Sequence, residues 1–223
     1  MHNLKLPNFY SCHKKETARL KTIIEIYQTY FYKQIPVNKQ YWTMCAAQTN
    51  EKAVFQIGSE LGQMIANNLI NENQFFGCDI KPNVIQLNQI AKPNANWFCN
   101  DFLQQMKLYF PFSPAIVNAD LLNLKEQATT KISEILSFLT DCKSDECLLI
   151  CNVMLNNPHE KSDKSIQHLS QEADAFIKLL EKNQSFCYAW KSDKWKIHPE
   201  VYIYNGSGRK AKTFLASFMF VNI

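Results

Sequence analysis

Glycines and short polar side chains follow four apolar runs of this sequence, at the points where the strands of a sheet would end. Carboxylates and amides bind hydroxyl and amino groups, and a carboxylate can also accept a proton from a reacting group. A site for a polar small molecule explains glycines and polar side chains after all four runs better than four separate helix caps do. The residues are Gly58 and Gly62, Asp79, Asn100 and Asp101, and Asn118 and Asp120.

The first of these runs is "VFQIGSELG", residues 54–62. Gly58 lets the chain turn sharply and lets a ligand approach bare backbone, and a following helix would point its free N–H groups at the same place. Asp79 lies 21 positions beyond Gly58. A carboxylate about 20 residues after such a turn suits a ribose, because it accepts from both hydroxyl groups. The alternatives are an ordinary strand-to-helix turn and a helix cap at Asp79.

Short apolar runs alternate with helical stretches from residue 53 onward, which predicts an α/β fold with a doubly wound, mostly parallel sheet. Two final runs, 201–204 and 213–221, flank "NGSG" and predict a C-terminal antiparallel hairpin. Ligands of such sheets bind beyond the carboxyl ends of the strands. The predicted strands are 53–58, 74–79, 96–100, 114–120 and 147–155, and the predicted helices are 60–71, 81–91, 101–109, 123–142 and 164–183.

The first 50 residues are predicted to be an N-terminal helical appendage, with residues 51–223 as the α/β domain. Residues 14–34 carry apolar side chains at helical spacing, and Pro36 ends that pattern. The segment "QYWTM" follows. We expect its Tyr41 and Trp42 to pack the appendage onto the sheet, with stacking on a cofactor or substrate as the alternative.

Composition narrows the class of protein. The net charge is +4, and arginine occurs only at positions 19 and 209, which does not indicate a dedicated nucleic-acid binder. A run of lysines and tryptophans over residues 190–212 is interpreted as a solvated hairpin, with a nucleic-acid surface as the alternative. The eight cysteines lie mostly in apolar runs, match no zinc spacing and indicate a cytoplasmic protein. No signal peptide or membrane span is predicted.

Residues 53–221 resemble the class I S-adenosylmethionine-dependent methyltransferases, on the strength of "VFQIGSELG", "FFGCDIKPNVIQLN", "CNDF" and "VNADLLN". The resemblance implies that Asp79 binds the cofactor ribose and that Ile80 lies against the adenine. It implies that Asp101 reads the adenine amino group under cover of Phe102. It assigns the cofactor S-adenosylmethionine to Gln56, Gly58, Ser59, Gly62, Asp79, Ile80, Asp101, Phe102 and Asn118.

The same resemblance places Asn118 and Asp120 near the reactive methyl group. Asn118 would position the acceptor, and Asp120 would accept a proton or cap the next helix. The chain departs from the family at two points, because the usual acid is Gln56 and the middle glycine of the turn is Glu60. A carboxylate there either accepts from the ammonium of the cofactor's amino-acid end or repels its carboxylate.

The predicted function is therefore transfer of a methyl group from S-adenosylmethionine to an unidentified acceptor. A small molecule or RNA is favoured as the acceptor, and a protein side chain is a further alternative. One alternative is a non-catalytic binding protein of the same fold. The other is an NAD(P)-dependent oxidoreductase, against which Glu60 speaks, because the glycine motif of that class has a glycine at this position. The sequence does not predict an oligomeric state.

Overall fold

The computed structural model describes residues 17–45, 47–49, 54–155, 166–183, 195–205 and 214–223. Within those residues, eight strands form one sheet in the order β3-β2-β1-β4-β5-β8-β6, and β7 also pairs with β8. Strands β1 to β5 run parallel, whereas β8 is antiparallel to β5, β6 and β7. The strands are β1 Gln40–Met44, β2 Phe75–Asp79, β3 Asn96–Cys99, β4 Pro114–Leu124, β5 Cys147–Met154, β6 Trp195–Ile197, β7 Tyr202–Asn205 and β8 Phe214–Asn222. The predicted doubly wound sheet with a C-terminal antiparallel hairpin is confirmed.

Helices cover both faces of this sheet. Buried side chains of α4, α5 and α6 form the core on one face, and those of α1 and α2 form the core on the other. Helix α1 is unusual because Leu20–Glu25 has π-helical hydrogen bonds, between the α-helical residues 17–19 and the α-helical Ile26–Tyr30. The remaining helices are α2 Glu60–Ala66, α3 Pro82–Ala91, α4 Phe102–Leu108, α5 Lys125–Asp141 and α6 Ile166–Leu180.

Local sequence explains where several helices begin. Pro82 is the first residue of α3, where its missing N–H would have no intrahelical partner in any case. The side chain of Ser59 accepts from the N–H of Gly62 at the start of α2. The side chain of Asp101 accepts from the N–H of Gln104 at 3.0 Å, so Asp101 caps α4.

The prediction of a first strand at 53–58 is wrong. The place between β2 and β4 is taken by β1, Gln40–Met44. Within residues 54–58 the only pairing is an isolated antiparallel bridge between Phe55 and Thr49. Val54 and Ile57 are 53% and 75% exposed, so this apolar run buries little surface and gains little from joining a sheet.

Strand β1 buries large aromatic rings on both faces, which accounts for its central position. Tyr41 stacks on Phe75 with ring centroids 5.4 Å apart, and Trp42 stacks on Phe76 at 4.9 Å. Because neighbouring strand residues point to opposite faces, Tyr41 enters one core and Trp42 the other. Both side chains are buried in the protein core, as expected, but they belong to the central strand and do not pack an appendage onto the sheet. Residues 40–44 are thus part of the sheet rather than of a helical appendage.

The helix predicted in the N-terminal segment is confirmed for the residues that the structure describes. Within the described residues, the helix expected over 14–34 appears as α1, and its Ile23, Ile24 and Tyr27 are buried against the sheet. Most of the lysine-rich segment and the glycines of "NGSG" lie outside the described residues.

No helix in the described ranges is both long and apolar enough to cross a membrane. The cytoplasmic location stays a prediction from the cysteines.

Candidate functional site

A cleft of about 350 Å³ lies at the carboxyl ends of β1 to β4. We call it the strand-end cleft. The strand order reverses between β1 and β4, and open α/β sheets bind ligands at such a switch point. The volume falls in the range of small-molecule sites. Its lining includes Cys45 after β1, Asp79 and Ile80 after β2, Asp101 and Phe102 after β3, and Asp120 in β4.

Asp79 is the last residue of β2 and is partly buried. Its Oδ1 accepts from the backbone N–H of Lys81 at 2.8 Å. Loss of water raises the pKa of the Asp79 carboxyl, although that N–H and the Lys81 charge oppose the rise. Asp79 does not cap α3, whose N-cap is Lys81, so the alternative of a simple helix cap does not hold. Next to it, Ile80 presents an exposed apolar side chain to the cleft.

Asp101 and Phe102 form the part of the cleft contributed by β3. The backbone N–H of Asp101 donates to Asn100 Oδ1 at 2.8 Å, and the Asp101 carboxylate caps α4. Phe102 is buried and lines the cleft from the first turn of that helix. The structure thus brings Asp79 and Asp101 together, as the strand-end argument predicted, and places beside them Ile80 and Phe102, which the family resemblance had added. Their binding of a cofactor stays a prediction.

A second, smaller cavity lies on the face of the sheet that α1 covers. We call it the polar cavity. It has a volume of about 30 Å³ and shares Asp120 with the strand-end cleft. Most of its walls are polar. They include Arg19 of α1, Glu60 of α2, Asn118 and Asp120 of β4, Asn152 of β5 and Ser217 of β8.

A chain of hydrogen bonds crosses the wall of this cavity. Glu60 is only 5% exposed, and its Oε1 accepts from Tyr41 Oη at 2.6 Å and from Asn118 Nδ2 at 2.8 Å. Asn118 Oδ1 accepts from Asn152 Nδ2 at 3.3 Å. Asn152 Oδ1 accepts from Ser217 Oγ at 2.5 Å. The chain therefore ties α2 to β1, β4, β5 and β8.

The direction of these bonds follows from the chemistry of Glu60. A carboxylate only accepts hydrogen bonds, so the amide of Asn118 must turn its NH₂ toward Glu60 and its oxygen toward Asn152. Asn152 must then donate to Asn118 and accept from Ser217. Burial, and then the nearby Glu60, raise the pKa of the Tyr41 phenol, which keeps its proton in place for donation.

Asp120 lies within β4, five residues before α5 begins at Lys125. The alternative that it caps the following helix is therefore wrong. Its position on the walls of both the strand-end cleft and the polar cavity makes it a link between the two.

The glycine-containing segment does not take the position that its sequence predicted. Gln56, Gly58, Ser59 and Gly62 line neither the strand-end cleft nor the polar cavity. The carbonyl of Gly58 accepts from Arg19 Nη1 at 3.2 Å. A Cβ on Gly62 would clash with the carbonyl group of Ile57, whose carbon would be 2.7 Å away. Gly62 is thus explained by the close approach of the chain's own backbone, and β1 is followed by Cys45 instead of a glycine.

Sequence reasoning missed Asn152 and Ser217 as members of the site, and it gave Tyr41 a place there only as a stacking alternative. Asn152 had a usable signal, because it follows the apolar run "CLLIC" just as Asn118 follows "PAIV". Ser217 lies inside an apolar antiparallel strand and Tyr41 inside an aromatic one. Only the tertiary fold shows that those two reach the carboxyl ends of the parallel strands.

No protein-family model matches this sequence, and no curated protein matches it either. Solved structures do match. The plantazolicin methyltransferase BpumL, solved with a pentazolic desmethylPZN analog and SAH, is similar at a TM-score of 0.51 and 12% identity, over 95% of this chain and 86% of that one. The N-methyltransferase NodS from Bradyrhizobium japonicum WM9 gives 0.48 and 13%, over 93% and 96%. At such identity the likeness is one of fold, and the chain has the fold of the class I methyltransferases.

Proposed function

We propose that this protein is an S-adenosylmethionine-dependent methyltransferase. The observation that carries the proposal is the meeting of Asp79, Ile80, Asp101 and Phe102 around one cleft at the switch point of the sheet. These are the residues to which the sequence assigned the adenosine part of the cofactor. The likeness of fold to BpumL, a methyltransferase solved with SAH, supports the same reading.

The chemistry of the cleft fits an adenosine. The Asp79 carboxyl accepts from the N–H of Lys81 but is only partly buried and lines the cleft, so it can also accept from ribose hydroxyl groups. Ile80 is exposed at the cleft, and covering it with a flat base would remove apolar surface from water. Asp101 supplies a carboxylate for an exocyclic amino group, and Phe102 supplies an apolar wall.

S-adenosylmethionine, when bound, supplies a methyl group already activated on a sulfonium. The protein then has to hold the acceptor in line and, where the acceptor carries a proton, to accept that proton. Asp120 is the carboxylate at the junction of the strand-end cleft and the polar cavity. Asn118 lies two residues before it, with its amide held by Glu60 and Asn152. We assign proton acceptance to Asp120 and positioning to Asn118.

Titration calorimetry of S-adenosylmethionine and S-adenosylhomocysteine into the purified protein tests the proposal. We expect micromolar binding of both, weakened about tenfold or more by Asp79→Ala, because a hydrogen bond to a charged group contributes about 1.5–3 kcal/mol. Asp174→Ala, on the exposed side of α6, is the matched control and should bind as the wild type does. Failure of the wild-type protein to bind either ligand would overturn the proposal.

A second candidate is a non-catalytic binding protein of the same fold. It is favoured because the sequence has no glycine before position 58, so that β1 is not followed by a glycine turn. Incubation with methyl-labelled S-adenosylmethionine and a cell extract separates the two. Label in the RNA or small-molecule fraction, lost in Asp120→Asn, supports the enzyme and tells the two favoured acceptor classes apart. Cofactor binding without label in any fraction supports the binding protein.

A further inference from the structure

Glu60 is a buried carboxylate at the wall of the polar cavity. It is 5% exposed, and its two hydrogen-bond donors, Tyr41 and Asn118, are neutral. Among the described residues no ion pair includes Glu60. Burying a charge costs much free energy unless an opposite charge compensates it. The carboxylates at the cavity wall, Glu60 and Asp120, outnumber the guanidinium of Arg19, so the polar cavity favours a cationic group.

The size of the polar cavity limits which chemical group of a ligand can bind there. A volume of about 30 Å³ holds roughly two water molecules, since each needs about 10–15 Å³. A nucleobase or a sugar ring does not fit into such a space, whereas an ammonium group does. The charges agree with this, because Glu60 and Asp120 supply two carboxylates to the cavity wall, and Arg19 supplies a guanidinium.

We propose that Glu60 binds the ammonium group of the cofactor's amino-acid end. The inference rests on the proposed function, which places the adenosine in the strand-end cleft. Asp120 lines both the cleft and the cavity, so one ligand with its adenosine in the cleft can place its charged end in the cavity. Arg19 then offers a partner for the carboxylate of the same end. The glutamate that stands where the family has a glycine is, in this chain, part of the binding site.

Three ligands and one isosteric substitution test the role of Glu60. All three ligands are thioethers: S-adenosylhomocysteine carries both the ammonium and the carboxylate, decarboxylated S-adenosylhomocysteine keeps only the ammonium, and 5′-methylthioadenosine has neither. We expect Glu60→Gln to weaken the first two by about tenfold or more, the scale of a lost charge-assisted hydrogen bond. Binding of 5′-methylthioadenosine should change less than about twofold, because it has no group to lose.

Controls make each outcome decisive. Glu134→Gln, at an exposed position of α5, should leave all three affinities unchanged. Glu60→Asp keeps the charge with a shorter reach and should fall between wild type and Glu60→Gln. Unchanged binding of S-adenosylhomocysteine to Glu60→Gln, or an equal loss of all three ligands, overturns the inference. If none of the three binds the wild type, the proposed function has failed instead.

Discussion

The phenol of Tyr41 and the carboxylate of Glu60 are joined by a 2.6 Å hydrogen bond in the interior of the protein. The first residue belongs to the central strand β1 and the second begins helix α2. The bond fixes the start of that helix over the carboxyl end of the sheet. It also leaves the Glu60 carboxylate at the wall of the polar cavity, with its hydrogen-bonding partners already in place.

Removal of this hydroxyl by Tyr41→Phe should destabilise the protein. The substitution leaves a buried carboxylate with one fewer donor, and such a loss costs about 1–3 kcal/mol. The measurement is the free energy of unfolding from urea denaturation at neutral pH.

Tyr27→Phe is the matched control for that measurement. Tyr27 is also fully buried, but its hydroxyl has no hydrogen-bond partner among the described residues. Deleting an unsatisfied buried hydroxyl removes a desolvation cost, so this variant should be as stable as the wild type or more so. Equal destabilisation by the two substitutions would show that the bond to Glu60 contributes nothing specific.

Asp79→Asn should make the protein more stable at neutral pH. Folding raises the pKa of this carboxyl above its ordinary 3.8, chiefly through burial, so the folded protein holds the proton more tightly than the unfolded chain. Ionisation therefore costs stability as pH rises from below 3.8 through the folded pKa. Asparagine keeps the oxygen that accepts from Lys81 and removes the charge.

The check is urea unfolding of both proteins across the acidic range. The advantage of Asp79→Asn should be absent near pH 3, grow with rising pH and then level off. The same variant should lose cofactor affinity, a stability–function trade-off typical of binding sites. A variant less stable than the wild type near pH 7 would contradict the assigned direction of the pKa.

Gly62→Ala should destabilise the protein by about 1–3 kcal/mol, the usual cost of overpacking. The new Cβ would meet the backbone of Ile57 and the carbonyl oxygen of Gln56 at 2.8 Å, and backbone cannot move aside cheaply. Gly77→Ala is the comparison, because its Cβ would meet the side chains of Trp97 and Cys45 at 2.7 Å and 3.0 Å. Thermal and urea unfolding should show the smaller loss for Gly77→Ala. The reverse order would mean that the Gln56–Ile57 backbone moves freely.

Arg19→Met should loosen helix α1. Arg19 Nη1 donates to the carbonyl of Gly58 and to Gln63 Oε1, both at 3.2 Å, whereas methionine keeps an apolar stem without the donors. Amide hydrogen exchange in α1 should become about tenfold faster, which corresponds to a loss of about 1.4 kcal/mol, while β4 stays protected.

Lys21→Met is the control for Arg19→Met. Within the described residues Lys21 pairs only with Glu25 of the same helix, at an exposed position, and such pairs contribute about 0.3–0.5 kcal/mol. Exchange in α1 should therefore change little. If the two variants exchange alike, the contacts of Arg19 to the α2 region do not hold the helix down.

Local signals in the sequence were sufficient for most of the fold. Pro82 and Asp101 mark the starts of α3 and α4, and the parallel strands from β2 onward were expected within a few residues of their observed bounds. Strand β1 was missed because the polar residues Gln40 and Thr43 interrupt it, so no continuous apolar run marks it as such runs mark β4 and β5. Its residues Tyr41 and Trp42 enter opposite cores, so no alternation of polar and apolar residues reveals it.

The candidate site likewise has a part that local sequence patterns predicted and a part that they did not. Asp79 and Asp101 were predicted because the carboxyl ends of parallel strands meet at one edge, and the structure brings them to one cleft. The contacts of Glu60 with Tyr41 and Asn118 join residues 19 and 58 positions apart. Such contacts depend on how the strands are ordered in space, which no local pattern in the sequence specifies.

Strand β8 pairs with β5 along its whole length, from Cys147 opposite Asn222 to Met154 opposite Leu215, and separates β5 from β6 and β7. A ribosome therefore makes β5 long before its neighbour in the sheet exists. Until residues 214–222 have been synthesised, the outer edge of β5 carries unpaired N–H and C=O groups beside apolar side chains. Such an edge is a template for aggregation, so the nascent chain most needs chaperone protection between the synthesis of these two strands.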